Sequence, residues 1–183
     1  MSHFTLITKD LDIAPLLAQV DANADLWGSR RQRQRDDSPH RDASDIWLRY
    51  LDPHLIGHHD IRRPHRSVWY PESTRLSGVH GLVTALGQVL GGPLELGGIL
   101  MTRIPAGREV YWHNDRGPWH AEYYDLKVWL PLRANEQCIN HVEDEQMVWH
   151  VGEAWHHSNM LEHRVQNLGE TERICLIVCF KRI

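Results

Sequence analysis

The stretch Leu161-Glu162-His163-Arg164-Val165-Gln166-Asn167-Leu168-Gly169-Glu170-Thr171-Glu172-Arg173-Ile174-Cys175-Leu176-Ile177-Val178-Cys179-Phe180 decides the architecture. Successive side chains of an extended chain leave opposite faces. The final run therefore presents Ile174, Leu176, Val178 and Phe180 on one face and Cys175, Ile177 and Cys179 on the other. A strand apolar on both faces belongs inside, covered on both sides. Arg173 leads that strand on the Cys175/Ile177 face, so a guanidinium enters the interior from the strand's end. Upstream, Asn167-Leu168-Gly169 reads as a turn and 161–166 as a further strand.

Working outward, residues 124–132 alternate, with Leu126, Val128 and Leu130 on one face and Lys127 and Trp129 on the other. Strands are also expected over 146–151, with Gly152 as a turn, and over 154–158. Residues 99–104 read as a strand, Pro105-Ala106-Gly107 as a turn, and 110–115 as another strand. The first half differs. Asp12 is placed to cap a short helix over 14–20, with Pro15 in its first turn. Leu76, Val79, Leu82, Val83, Leu86, Val89 and Leu90 fall at helical spacing, and Gly91-Gly92-Pro93 ends that helix. Residues 45–50 read as a strand with Ile46, Leu48 and Tyr50 on one face and Trp47 and Arg49 on the other, Arg49 facing solvent in preference to a pocket. Helices followed by many short strands predict a mainly β fold, a double-stranded β-helix (jelly-roll, cupin-like) core with N-terminal supporting helices. One domain spanning 1–183 is expected. Its first part, 1–93, supplies support and the first strands, and 94–183 supplies the barrel.

Four polar residues concentrate the chemistry. His113 and Asp115 in Val110-Tyr111-Trp112-His113-Asn114-Asp115 leave the same face of an extended chain, and His163 lies on a later strand. Two histidines and a carboxylate on extended segments make the facial triad of non-haem Fe(II) oxygenases, which leaves one side of the ion open. Arg173 suggests what binds there. A guanidinium at the head of an apolar strand is costly to desolvate unless an anion pairs with it. A dicarboxylate such as 2-oxoglutarate satisfies both demands, chelating iron at one end and meeting Arg173 at the other.

At this point the chain resembles the 2-oxoglutarate/Fe(II)-dependent dioxygenases, and within them the aspartyl/asparaginyl β-hydroxylase-like branch. The resemblance runs over roughly residues 100–180. It is carried by Val151-Gly152-Glu153-Ala154-Trp155, His163-Arg164-Val165-Gln166-Asn167 and Glu172-Arg173-Ile174-Cys175-Leu176-Ile177. It implies His113 and His163 as metal ligands, Arg173 on the distal carboxylate, and Lys127 as a basic co-substrate contact. Well-known members of the branch lack a carboxylate ligand, whereas Asp115 stands where most of the superfamily carries one. The implied activity is hydroxylation of a C–H bond, with Fe(II), 2-oxoglutarate and dioxygen consumed together and succinate released. The substrate class is an amino-acid side chain, free or in a peptide or protein, or a related small molecule.

Composition narrows the alternatives. The 183 residues carry a formal net charge of -4, so no overall field draws the chain to nucleic acid or an anionic membrane. Three cysteines, two in the final apolar run, do not make a disulfide framework. With no membrane-length apolar run and no signal-peptide layout at the start, a soluble cytoplasmic protein is expected. Oligomeric state is not encoded. A redox-neutral cupin-like metal protein or isomerase is the main alternative, but such a barrel has no need of Arg173. A nucleic-acid demethylase is the lesser one, and the chain lacks the Arg-x-Asn-x-Thr-x-x-Arg signature of that branch after His163.

Fourteen histidines invite false ligand pairs. His58-His59-Asp60 and His156-His157 are discounted because neighbouring strand residues point apart. Residues 28–41, rich in arginine and without apolar periodicity, read as a solvated loop, with a phosphate or acidic-substrate contact and a lid as the other readings. Of the tryptophans crowding the second half, Trp129 and Trp119 are the ones expected near the site. The loops at 30–41, 54–66 and 116–122 are expected to hold substrate recognition.

Overall fold

A computed structural model describes residues 2–31, 33–55, 65–115 and 124–183. The expectations placed on His58-His59-Asp60, Trp119 and the 116–122 loop lie outside the described residues. Two antiparallel sheets face each other. The larger joins β1 (Phe4–Thr8), β2 (Ser44–Leu51), β3 (Ser67–Trp69), β4 (Leu94–Ile104), β6 (Leu126–Arg133), β9 (Ala154–His157) and β11 (Arg173–Arg182), in the order β1-β9-β6-β11-β4-β2-β3. The smaller joins β5 (Arg108–His113), β7 (Cys138–Val142), β8 (Glu145–Val148) and β10 (His163–Asn167), in the order β5-β10-β7-β8. This is a double-stranded β-helix. Strand β11 takes the central place its two apolar faces predict, bonded to β4 on one side and β6 on the other.

Each face of the large sheet has its own partner. Outward, Ile46, Leu48, Ile99, Met101, Val128, Leu130, Leu176 and Val178 pack against Leu16 and Val20 of helix α1 (Ala14–Ala22) and Val79, Leu82 and Leu86 of helix α3 (Gly78–Leu90). A short helix, α2 (Glu72–Arg75), precedes α3, and Gly91 at φ 67° ends it in the conformation that favours glycine. Inward, Trp47, Leu100, Trp129, Cys175 and Ile177 meet Val142 and Trp149 from the small-sheet side. Side chains on this second face form the barrel interior. A one-residue register slip in β6 or β11 would turn Lys127, Trp129 or Arg173 outward, so apolar burial on both faces fixes which polar groups point in.

Among the described residues, three strands escaped the sequence reading: β1, β3 and β7. Strand β3 has only three residues, and β7 carries a polar Asn140 at a buried position, where alternation would place an apolar side chain. One orientation was also wrong. Trp47 pairs with Leu100 and Arg49 with Ile99, which leaves Leu48 as the extra residue of a bulge. Tyr50 is thereby turned toward the barrel-lining cluster. Arg49 does not simply face solvent; its Nη2 donates to the Leu96 carbonyl at 3.2 Å and its guanidinium lies over Trp69.

The 28–41 segment is tied down at many points. Arg30 lies over the Tyr70 ring, 4.2 Å from its centroid, and Arg41 over Tyr111 at 3.5 Å. Gln34 donates to Asp45 Oδ2 at 2.8 Å, and Arg33 Nε stands 3.3 Å from the same oxygen. Asp45 is completely buried and also accepts from Thr102 Oγ1 at 2.8 Å. The described residues of this segment thus pack on the barrel rather than lie free in solvent, and His40 comes to rest beside His113 of β5. No helix among the described residues is long and apolar enough to cross a membrane.

Candidate metal centre

The two candidate histidines are brought together by strand pairing. His163 opens β10 and lies opposite His113, the last residue of β5. Between this pair and the next, Val165 with Val110, β5 advances three residues while β10 advances two. The extra residue is a bulge at Tyr111 and Trp112, and it lets both Val110 and His113 face inward. Bulges beside active sites commonly re-aim a side chain in this way. The ring centroids of His113 and His163 are 4.2 Å apart.

Both rings are held in the same manner. Nδ1 of His113 lies 2.7 Å from the Tyr111 carbonyl, and Nδ1 of His163 lies 2.8 Å from that of Leu161. A carbonyl only accepts, so each Nδ1 carries the proton and each Nε2 keeps its lone pair for a metal. Burial holds both imidazoles neutral. It lowers His113, and pulls His163 down to about 4 with help from the neighbouring His113.

Asp115 lies just beyond β5. Its backbone N–H donates to the Asn159 carbonyl at 2.8 Å, which anchors the chain after the strand has ended. Asp115 Oδ1 is 3.8 Å from His113 Nε2. Ligand atoms of His113, Asp115 and His163 all lie within 4.8 Å of one another. Two imidazole nitrogens and a carboxylate oxygen on one side of a point suit a six-coordinate Fe(II) with open positions. The donor set therefore fits the ion that the sequence implies.

Arg173 is buried at 3% exposure. Its Nη2 donates to Asn140 Oδ1 at 3.1 Å, and its guanidinium sits 6.0 Å from the Trp149 ring centroid. Among the described residues it has no carboxylate partner. Lys127, expected to touch co-substrate, reaches Asp115: its Nζ donates to Oδ2, while lying 5.1 Å from the Trp129 centroid. Trp129 is buried in the barrel wall, its ring stacked on His157 at 4.0 Å and 12°.

Two histidines join the centre without having been chosen from sequence. His157 packs against His163 at 4.9 Å, and burial drives its basicity well down. Its neighbour His156 turns away and meets the Lys127 carbonyl at 2.8 Å, so this doublet splits across the strand as alternation requires. His40, in the 28–41 segment, stands 4.7 Å from the His113 ring and is likewise held neutral by burial. No local pattern marks His40, because only the segment's path beside β5 places it there. His157 was legible as an inward residue of β9, but not as a neighbour of the ligands.

Comparison with known proteins agrees with this geometry. The family model described as aspartyl/asparaginyl beta-hydroxylase matches residues 81–183. No curated protein sequence matches the chain. Solved structures share the fold at low identity. An oxidoreductase of the 2OG-Fe(II) oxygenase family from Burkholderia pseudomallei aligns over 99% of this chain and 85% of its own, at 17% identity and a TM-score of 0.61. The viral collagen prolyl hydroxylase of Paramecium bursaria Chlorella virus-1 aligns over 100% and 97%, at 9% identity and a TM-score of 0.57. The non-heme alpha-ketoglutarate-dependent epimerase SnoN of nogalamycin biosynthesis aligns over 98% and 78%, at 14% identity and a TM-score of 0.57. With more than half its length matched by the family model, and with two histidines and a carboxylate converging at one point, this chain belongs to the aspartyl/asparaginyl beta-hydroxylase family of dioxygenases.

Proposed function

We propose that His113, Asp115 and His163 hold Fe(II), that Arg173 grips the distal carboxylate of 2-oxoglutarate, and that the chain hydroxylates a C–H bond. The substrate is an amino-acid side chain, free or within a peptide or protein, or a related small molecule. The observation that carries this reading is Arg173, a buried guanidinium that meets the neutral Asn140 amide and the Cys175 thiol but, among the described residues, no carboxylate. A full positive charge inside a barrel is poorly compensated by one amide oxygen and a distant indole face. A carboxylate gripped by its planar fork would compensate it.

When bound, the iron and co-substrate supply the oxidising chemistry, coupling decarboxylation to succinate with insertion of one oxygen atom into the substrate C–H bond. The chain's residues do the rest. Nδ1–H donation to Tyr111 and Leu161 keeps both imidazoles aimed, and burial keeps them unprotonated. Trp129, Ile177, Cys175 and Leu100 form apolar wall that keeps water from the pocket. A redox-neutral metal barrel would leave Arg173 without a purpose.

Succinate release tests the proposal. Protein loaded with Fe(II) should convert 2-oxoglutarate to succinate in air, faster with an accepted substrate, and His113→Ala or Asp115→Ala should abolish turnover. Full activity in either variant would show the triad to be misassigned.

A further inference from the structure

Lys127 stands on the inner face of β6, opposite Cys179 of β11, and its side chain crosses the barrel to the metal centre. Its side chain is 11% exposed and that of Asp115 13%, so the pair is nearly sealed from water. Two side chains among the described residues bring donors to the same carboxylate oxygen. Lys127 Nζ bonds Oδ2, and Asn159 Nδ2 approaches Oδ2 at 3.4 Å. The other oxygen, Oδ1, is the one turned toward His113 Nε2. The ammonium is steadied in turn by the Trp129 face, 5.1 Å away, an attraction that strengthens out of water.

We infer that Lys127 is a positioning residue for Asp115 and not a contact of the co-substrate. By holding Oδ2, Lys127 and Asn159 leave Oδ1 as the ligating atom, so Asp115 coordinates through a single oxygen. A carboxylate spanning the ion with both oxygens would take a second position, one that the co-substrate or dioxygen needs. A short acidic side chain placed beyond the end of its strand has rotational freedom that the two histidines, braced by backbone carbonyls, do not have. Lys127 removes that freedom. The role is distinct from the one Arg173 fills, and it accounts for a lysine buried among groups that are otherwise aromatic, apolar or neutral.

This inference rests on the triad proposed above, and the experiment keeps the two apart. Wild type, His113→Ala, Lys127→Met and Lys127→Arg are titrated anaerobically with Fe(II), and with Co(II) as a spectroscopic substitute. Each metal-saturated protein is then titrated with 2-oxoglutarate, and thermal melting reports folding. Wild type that binds no metal, or binds it as well after His113→Ala, defeats the triad itself. With the triad intact, Lys127→Met should lose roughly 10- to 100-fold in metal affinity, the usual effect of removing a group that orients a ligand. It should also alter the Co(II) spectrum while the 2-oxoglutarate Kd of saturated protein changes less than about twofold. Lys127→Arg, which keeps a charged donor, should recover part of the affinity. Should Lys127→Met fail to fold, Lys127→Arg decides alone through its altered Co(II) spectrum at unchanged 2-oxoglutarate affinity. Unchanged or tighter metal binding, or a weakening confined to 2-oxoglutarate, overturns the inference and returns Lys127 to the co-substrate.

Discussion

Arg173→Met should act in opposite directions on the free and the co-substrate-bound protein. Without ligand, the wild-type guanidinium is buried, among the described residues, against Asn140 Oδ1, the Cys175 thiol and the Trp149 face. Burying such an ion costs several kcal/mol even after relaxation. The hydrogen bond returns on the order of 1–3 kcal/mol and the ring about 1 kcal/mol. Methionine fills similar space without charge, so the unliganded variant should melt at or above the wild-type temperature. With ligand the balance reverses. At a 2-oxoglutarate concentration one hundred times Kd, wild type gains about 2.7 kcal/mol. For a chain of this size that corresponds to about 5–11 °C. Truncating one side of a buried charge pair weakens binding by about 2–5 kcal/mol. At the lower limit Kd rises about thirtyfold, and the same concentration gives about 0.9 kcal/mol, or roughly 2–4 °C. The assay is thermal melting of Fe(II)-loaded protein under nitrogen across a co-substrate series. A variant that keeps the full wild-type shift would refute the placement of the co-substrate carboxylate on Arg173.

Other perturbations probe the remaining parts. Arg33→Ala removes the cation beside fully buried Asp45 and should cost on the order of 3 kcal/mol by denaturant unfolding, an effect absent if the 28–41 segment only rests on the barrel. Gly97→Ala would bring a Cβ to 2.1 Å from Tyr124 Cε1, so the aromatic ring must move, and stability should fall by about 1–3 kcal/mol. In metal-free protein the His163 pKa is about 4, below the 6.5 of an unperturbed histidine, so the unfolded chain takes up the proton first. Stability should therefore fall as pH drops from about 6.5 toward 4 and level off below, by about 3 kcal/mol from this group. His163→Gln should flatten that slope when unfolding is followed across the same pH range in chelator. A slope unchanged in the variant would assign the acid sensitivity elsewhere.

Legibility in the sequence followed the physics of each element. Strand β11 was readable because its burial on both faces is written in consecutive apolar residues, and α3 because its apolar residues keep helical spacing. Alternation put Lys127 and Trp129 on one face of their strand and Arg173 on the Cys175/Ile177 face, but did not decide whether the Lys127 face lines a pocket or the surface. Tyr50 was misplaced because the bulge at Leu48 shifts alternation by one residue, and nothing in the composition of the strand announces an extra residue. Strand β7 was missed because its polar residues serve tertiary partners: Asn140 accepts from Arg173, and His141 meets Gln166 across the sheet at 3.2 Å. The triad could be nominated from residue types and spacing, but its convergence depends on the β5 bulge and on the Asp115–Asn159 backbone bond. His40 and the Lys127–Asp115 pair are long-range contacts, set by the route of the 28–41 segment and by the distance across the barrel.

The most direct test of the central claim is an anaerobic titration of Fe(II)-loaded protein with 2-oxoglutarate, monitored for the weak visible charge-transfer band of the chelate. Wild type should develop the band at saturation, Arg173→Met should need much more co-substrate to reach it, and His163→Ala should not form it. Metal binding without any band at saturating 2-oxoglutarate would contradict the account and leave a redox-neutral metal protein in its place.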